Sequence, residues 1–430
     1  MNAPLAAALT APNPPASSLA PAIDAAATAL EQAVIAWRRD LHQHPELGNR
    51  EFRTAGIVAS HLQKLGFDEI RSGVAHTGVV GLLKGALPGP VVALRADMDG
   101  LPVAEETNFP FTSKARAQFN GEDVGVMHAC GHDCHVAILM GVAEILAGLR
   151  SHLKGSVKFI FQPAEEMPPE GEDGGAEMMV REGALEKPTP GAIFGLHVTS
   201  RQPVGEIGWR SGPTMASSDK LRIDVHGRQT HGAAPWLGVD PIVTAAQVVL
   251  GLQTVVSRTQ DITQEPAVVT IGAIRGGVRE NIIPDSVTMR GTIRTFNEDM
   301  RDDIHERITT LSEAIGKGSR ATCRVCITKN YPVTINDPAL TEAMLPTLQR
   351  VGGEGKVVNV PKITGSEDFS FFQRLVPGLF VFLGVTAPGV DPKTAAPNHS
   401  PRFTVDEAAL VTGVRMLAHL AVDWLEAKQS

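Results

Sequence analysis

Cysteine is scarce in this chain: there are four in 430 residues, at Cys130, Cys134, Cys323 and Cys326. So few thiols exclude the disulfide-stapled scaffold of a small secreted domain. Two of them sit in a histidine-rich stretch that reads as a metal site and needs them reduced, which points to the cytoplasm. Positive charge is also short. The formal net charge is -8 and no basic patch stands out, so nucleic acid is not an expected partner. Residues 1–20, mostly Ala, Pro and Ser, have neither a positively charged start nor a sustained apolar run. They fit neither a secretory signal nor a membrane span, and a disordered tail with no membrane association is expected. What is present is a chain 43% hydrophobic with 42 glycines, the composition of a soluble globular enzyme. Its length suits about two or three domains.

Potential metal ligands crowd into Met127-His128-Ala129-Cys130-Gly131-His132-Asp133-Cys134-His135. Thiolate and imidazole suit borderline divalent cations, and a Cys-x-His pair around glycine can bring both to one ion from a tight turn. Glu165, Glu166, His197 and His399 answer it from elsewhere in the chain. The Cys323 to Cys326 spacing is not read as a second half-site. It lies in a strand-like run, where an offset of three sends the two side chains to opposite faces.

The alanine-rich run from Asp24 to Leu41 predicts a helix stopped by Pro45, and a second helix is expected over 51–65, capped by Gly66. Residues 91–94, 156–161 and 192–196 are short apolar runs without alternation, the pattern of strands buried on both faces. Each delivers polar groups at its carboxyl end: Asp97 and Asp99, Glu165 and Glu166, and His197. A helix is expected over 136–149. In open α/β sheets ligands bind outside the carboxyl ends of the strands, so the three sets converge on one crevice. Between residues 215 and 331 the order becomes β-α-β-β-α-β, a ferredoxin-like unit. A helix near 338–351, a strand at 379–383, the His399 loop and a helix from Asp406 to about Lys428 follow. The expected fold is α/β: a discontinuous catalytic domain, 21–214 with 332–430, has a mainly parallel sheet flanked by helices. An inserted ferredoxin-like α+β lid or dimerisation domain occupies 215–331.

Five ligands, Cys130, His132, one of the two glutamates, His197 and His399, exceed the roughly three that an open catalytic zinc takes. They suit two divalent ions per subunit, zinc or manganese foremost, with cobalt and nickel also compatible. Adjacent glutamates in an extended segment diverge, so one can ligate while the other acts as general base. His135, three residues after His132, is a rival ligand that is read instead as a support. Asp97 or Asp99 could orient a ligand imidazole.

Several further motifs join these: Trp37-Arg38-Arg39-Asp40-Leu41-His42 with Pro45-Glu46-Leu47-Gly48, Leu94 to Pro102, Gln162-Pro163-Ala164-Glu165-Glu166, His231-Gly232-Ala233-Ala234-Pro235, Gly276-Gly277 with Asn281 and Pro284, and Gly365-Ser366-Glu367-Asp368-Phe369. From about residue 30 onward the ordered set resembles the M20 metallopeptidase family, in its amidohydrolase branch of hippurate hydrolases, N-acyl-amino-acid amidohydrolases and auxin-conjugate hydrolases. The resemblance implies Cys130, His132, Glu166, His197 and His399 as metal ligands and Glu165 as general base. It implies Asp99 as the acid of the D-x-D pair, and His231, Asn281 and Arg294 as substrate-binding residues. It further implies a small-molecule N-acyl amino acid as substrate and a homodimer formed through the inserted domain, where strand 220–226 or a neighbour would otherwise expose an edge. The alternatives are a dipeptidase or carboxypeptidase of the same family, or a non-enzymatic metal-binding protein, which the spare carboxylate of Glu165 argues against. The segment 170–175, Glu-Gly-Glu-Asp-Gly-Gly, departs from the usual pattern and bears on access to the cleft.

Overall fold

The computed structural model describes residues 17–428 and divides into two compact units. Among the described residues the first comprises 17–211, 336–360 and 372–428; the second comprises 212–335 and 361–371. The segment 361–371 thus clusters with the second unit, where Ile363 bridges to Met215 and its amide donates to the Thr214 carbonyl at 3.0 Å. Most of the expected tail lies outside the described residues. Its last part is seated: the buried Ser17 hydroxyl donates to Glu426 at 2.8 Å and accepts the Leu19 amide.

In the first unit, the helix Ala20–Gln43 begins with proline in its first turn and buries Ile23, Ala27, Val34, Arg38 and Leu41, a stripe at helical spacing. The helix Phe52–Lys64 ends where Gly66 turns left-handed, its amide donating to the Gln63 carbonyl. An eight-stranded sheet follows the order Glu69–Val74, Gly78–Lys84, Lys154–Gln162, Leu87–Asp97, Ala192–Pro203, Gly378–Thr386, Ile207–Trp209, Val357–Asn359. The four from Lys154–Gln162 to Gly378–Thr386 run parallel. The helix His132–Gly148, buried almost all round, packs with Ala20–Gln43 and with the largely buried Ala409–Ala427 to form the helical side of the core. The first of these starts at His132, four residues before the expected Val136, because Gly131 supplies a left-handed N-cap at once.

Register explains why polar groups meet. Asp97 is level with Gln162, and Arg95 with Gly195, so two residues on, Asp97 and His197 lie at the same height. The strand Ala192–Pro203 continues past His197 instead of stopping at Leu196. Its pairing with Leu87–Asp97 ends at Gly195, while that with Gly378–Thr386 carries on, so one flank of His197 is left open.

The second unit is a four-stranded antiparallel sheet in the order Ala267–Gly276, Ser286–Thr295, Asp219–His226, Thr322–Lys329. The helices Pro241–Thr259 and Glu298–Gly318 pack on it around Ile223, Val248, Met289 and Ile304. The edge expected at 220–226 or a neighbouring strand falls to a neighbour, since Asp219–His226 is interior and paired on both sides. The edges are Ala267–Gly276 and Thr322–Lys329, and in the latter Cys323 faces the core while Cys326 is exposed.

Candidate metal centre

The site starts from a turn that only glycine can make. Gly131 sits at φ 94°, and a Cβ there would lie 2.3 Å from Val198 Cγ2. The turn throws Cys130 and His132 to the same side and starts the helix His132–Gly148. The late loop is fastened to it: Asn398 Nδ2 donates to the carbonyls of Cys130 (3.0 Å) and Val198 (3.1 Å), and the amide of His399 donates to the Ala129 carbonyl at 2.8 Å. A histidine more than 260 residues away in sequence is thereby set beside Cys130.

Within this frame the donor atoms of Cys130, His132 and His197 lie within 4.8 Å of one another, as do those of Cys130, Glu166 and His399 and those of His132, Glu165 and Glu166. Cys130 Sγ is 3.4 Å from His197 Nε2. His197 Nδ1 lies 2.7 Å from the Val198 carbonyl, which can only accept, so its proton is on Nδ1 and the lone pair of Nε2 points at the sulfur. Nε2 of His399 and Oε1 of Glu166 are 3.0 Å apart. His132 Nε2, fully buried, has no hydrogen-bond partner; Asp97 Oδ2 is 3.8 Å and Glu165 Oε2 4.0 Å from it. An orphaned buried nitrogen beside a thiol, further imidazoles and carboxylates is what a cation cradle looks like, and the mixed S, N, O donor set fits divalent transition metals.

His135 stays out of this set. Its Nε2 accepts the Val198 amide at 2.9 Å and its Nδ1 is 2.5 Å from Asp97 Oδ1, so no lone pair is left for an ion. Asp97 is occupied in turn by Arg95 at 2.7 Å. Asp99 does more: Oδ1 lies 3.2 Å from His132 Nδ1 and accepts the Glu165 amide at 3.0 Å, while Oδ2 accepts the Glu166 amide at 2.9 Å.

The electrostatics suit a bound cation. Burial, then Glu166 and Glu165, push the Cys130 thiol well above its ordinary value, and burial with His135 nearby holds His197 well below its own. Burial also works against a charge on His132, but Asp97 and Asp99 outweigh it and lift the imidazole to about 10. The pair with Glu166 raises His399 despite its burial. Surplus negative charge and a silent thiol are both resolved by a divalent ion.

Three expected substrate residues belong to the second unit. His231 is on the two-residue strand Thr230–His231, paired with Ile282–Ile283, and shares a cavity of about 460 Å³ with Asn281 and Arg279. Arg294 donates to Ser366 Oγ at 2.9 Å.

Two further features were not foreseen. Arg38 and His42 both hold Asp133 Oδ2 at 2.8 Å in a buried network directly behind His132. Glu51, wholly buried, accepts the Ala164 amide at 2.9 Å. The Trp37 to His42 and Pro45 to Gly48 motifs stood out in the sequence, but only tertiary approach reveals what they grip.

Residues 93–423 match the model of Peptidase family M20/M25/M40. The chain is 39% identical over 395 residues to Thermostable carboxypeptidase 1 of Saccharolobus solfataricus, covering 91% of this chain and 95% of that one. It is 38% identical to N-acetylcysteine deacetylase of Bacillus subtilis over 398 residues, 93% and 98% of the two chains. Among solved structures, a Bacillus subtilis protein described as a dinuclear metal-binding peptidase from the M20 family superposes with a TM-score of 0.77 at 36% identity, over 93% of this chain and 99% of that one.

Proposed function

Because the chain belongs to peptidase family M20/M25/M40 and is therefore a metal-binding hydrolase, we propose that it hydrolyses the amide bond of N-acyl amino acids, with Glu165 as general base. The observation that carries this reading is the splitting of two adjacent glutamates. Asp99 holds both their amides, yet Glu166 reaches His399 and Cys130 while Glu165 Oε2 lies toward His132 Nε2. A structural metal site has no use for the second carboxylate.

Cys130, His132, Glu166, His197 and His399 would hold two divalent ions, zinc or manganese in our reading. The chemistry such ions supply when bound is Lewis acidity, which polarises an amide carbonyl and acidifies a water. Glu165 takes a proton from the water as its oxygen attacks the amide carbon, then delivers that proton to the leaving nitrogen as the C–N bond breaks. The products are a carboxylic acid and a free amino acid. His231, Asn281 and Arg294 serve substrate binding; a guanidinium is the natural partner of a free carboxylate. We further propose a cytoplasmic homodimer formed through the second unit, whose Ala267–Gly276 strand leaves a sheet edge with exposed Ile274.

The carboxypeptidase reading has one observation in its favour, the similarity to a thermostable carboxypeptidase. Both readings are tested by turnover of N-benzoylglycine and N-acetylcysteine beside simple dipeptides, with metal content measured on the same preparation. Preference for acyl amino acids, loss of activity on chelation and recovery with zinc or manganese are expected. Full activity of a metal-free preparation contradicts both readings, and preference for dipeptides contradicts the first.

A further inference from the structure

Three consecutive amides, those of Ala164, Glu165 and Glu166, are each held by a buried carboxylate. Asp99 takes the second and third, and Glu51 takes the first, at 2.9 Å. Glu51 comes from the far side of the chain: it is the N-cap position of the helix Phe52–Lys64, and its other oxygen accepts the Thr77 hydroxyl at 2.6 Å. The segment in front of it is bolted down twice. Glu46 accepts the amides of Arg53 and Thr54 at 2.9 Å through its side chain and the amide of Gly100 at 2.7 Å through its carbonyl. Gly48 runs so close to the turn that a Cβ on it would stand 3.1 Å from the Cβ of Ala164.

The residue that Glu51 grips is under strain. Ala164 is a non-glycine at φ 51°, and Met167, on the other side of the glutamates, is at φ 79°. Left-handed alanine persists only where its surroundings over-determine it, and such strain gathers where a side chain must be aimed. The loop beyond is tied to the same segment, for Asn49 and Arg50 bind Glu172, the centre of the acidic 170–175 stretch.

We propose that Glu51 is a positioning residue for hydrolysis: by holding the Ala164 amide it fixes the strained turn that aims the Glu165 carboxylate. This rests on Glu165 being the general base. Burial, with Asp99 nearby, pushes the Glu51 carboxyl up to about 8 although the hydrogen bonds from Thr77 and Ala164 pull it down; as a neutral acid it keeps the Ala164 amide on its carbonyl oxygen and turns its own hydroxyl to Thr77 Oγ. The grip therefore needs hydrogen-bonding shape, and glutamine can reproduce it where methionine cannot.

The zinc-loaded full-length protein is assayed on N-benzoylglycine, and on alanylalanine if dipeptides prove the better substrates. Glu51→Met is expected to lower kcat by about tenfold to a hundredfold, the effect of a misplaced base, with KM within about twofold and bound zinc unchanged. Glu51→Gln should recover most of the lost turnover, and Thr77→Val should lower kcat by about threefold with KM unmoved. Wild-type kcat in Glu51→Met overturns the proposal, as does zinc loss in proportion to activity, or Glu51→Gln failing as badly as methionine. If the methionine variant does not fold, unchanged kcat in Thr77→Val overturns it. Glu165→Gln assayed alongside separates the two readings: an active Glu165→Gln defeats the general-base assignment, while an inactive one beside a fully active Glu51→Met defeats only the positioning role.

Discussion

Oδ1 of Asp99 lies 3.2 Å from Nδ1 of His132, and the same carboxylate accepts the amides of both Glu165 and Glu166. One acid thus sets the tautomer of the imidazole we propose as a ligand, leaving its Nε2 for an ion, and carries the backbone of the two glutamates. Asp99→Asn cannot do both, since an amide NH₂ must face either an imidazole N–H or a backbone N–H. Metal affinity should fall about tenfold to a hundredfold, read by competition with a chromophoric chelator. Wild-type affinity would mean that His132 is oriented by something else.

Behind the ligand turn, Arg38 and His42 converge on the buried Asp133. Burial opposes the charge on Asp133, but Arg38 and His42 outweigh it and hold the carboxyl far below the ordinary range. Arg38→Met leaves that carboxylate with His42 alone. Removing one partner of a buried ion pair costs about 3–5 kcal/mol, so the urea midpoint should drop accordingly. A loss under about 1 kcal/mol would show that His42 suffices.

Glu51 makes stability depend on pH in a definite direction. The folded protein keeps its proton up to about pH 8, whereas the ordinary value is 4.5. The folded state therefore binds more protons than the unfolded state between those values. The contribution of this group is full below the lower value and is lost as pH rises through the upper one, by an amount on the order of a few kcal/mol. Glu51→Gln removes the titration. Its melting temperature relative to wild type should rise from pH 5 to pH 9, and a difference that is flat across that range would contradict the burial of an ionisable proton there.

Much of the centre was legible because its residues sit in local motifs with a physical reason for their spacing. Cys130, Gly131 and His132 make one turn, Glu165 and Glu166 follow one buried strand and His197 lies within another, and the unbroken apolar runs of both strands imply parallel pairing. What escaped depends on approach between distant segments. Nothing local to Glu51 says that it meets Ala164, 113 residues away, and nothing local to Arg38 says that it meets Asp133. The position of Asp219–His226 within its sheet escaped for a similar reason. Its alternating burial is that of any strand with one covered face, while its two neighbours, Ser286–Thr295 and Thr322–Lys329, are chosen by how the chain crosses over.

The central claim is that adjacent glutamates divide two tasks, and it is tested by matched variants. Glu165→Gln keeps the size of the side chain but cannot accept a proton, so turnover should fall by about a hundredfold to ten-thousandfold with metal content unchanged. Glu166→Gln removes an anionic donor from beside His399 and Cys130, so bound metal itself should fall. Metal content and kcat measured together on both proteins decide the matter. The predicted result is an idle but loaded Glu165→Gln beside a metal-depleted Glu166→Gln, and the reverse pattern would contradict the assignment of base and ligand.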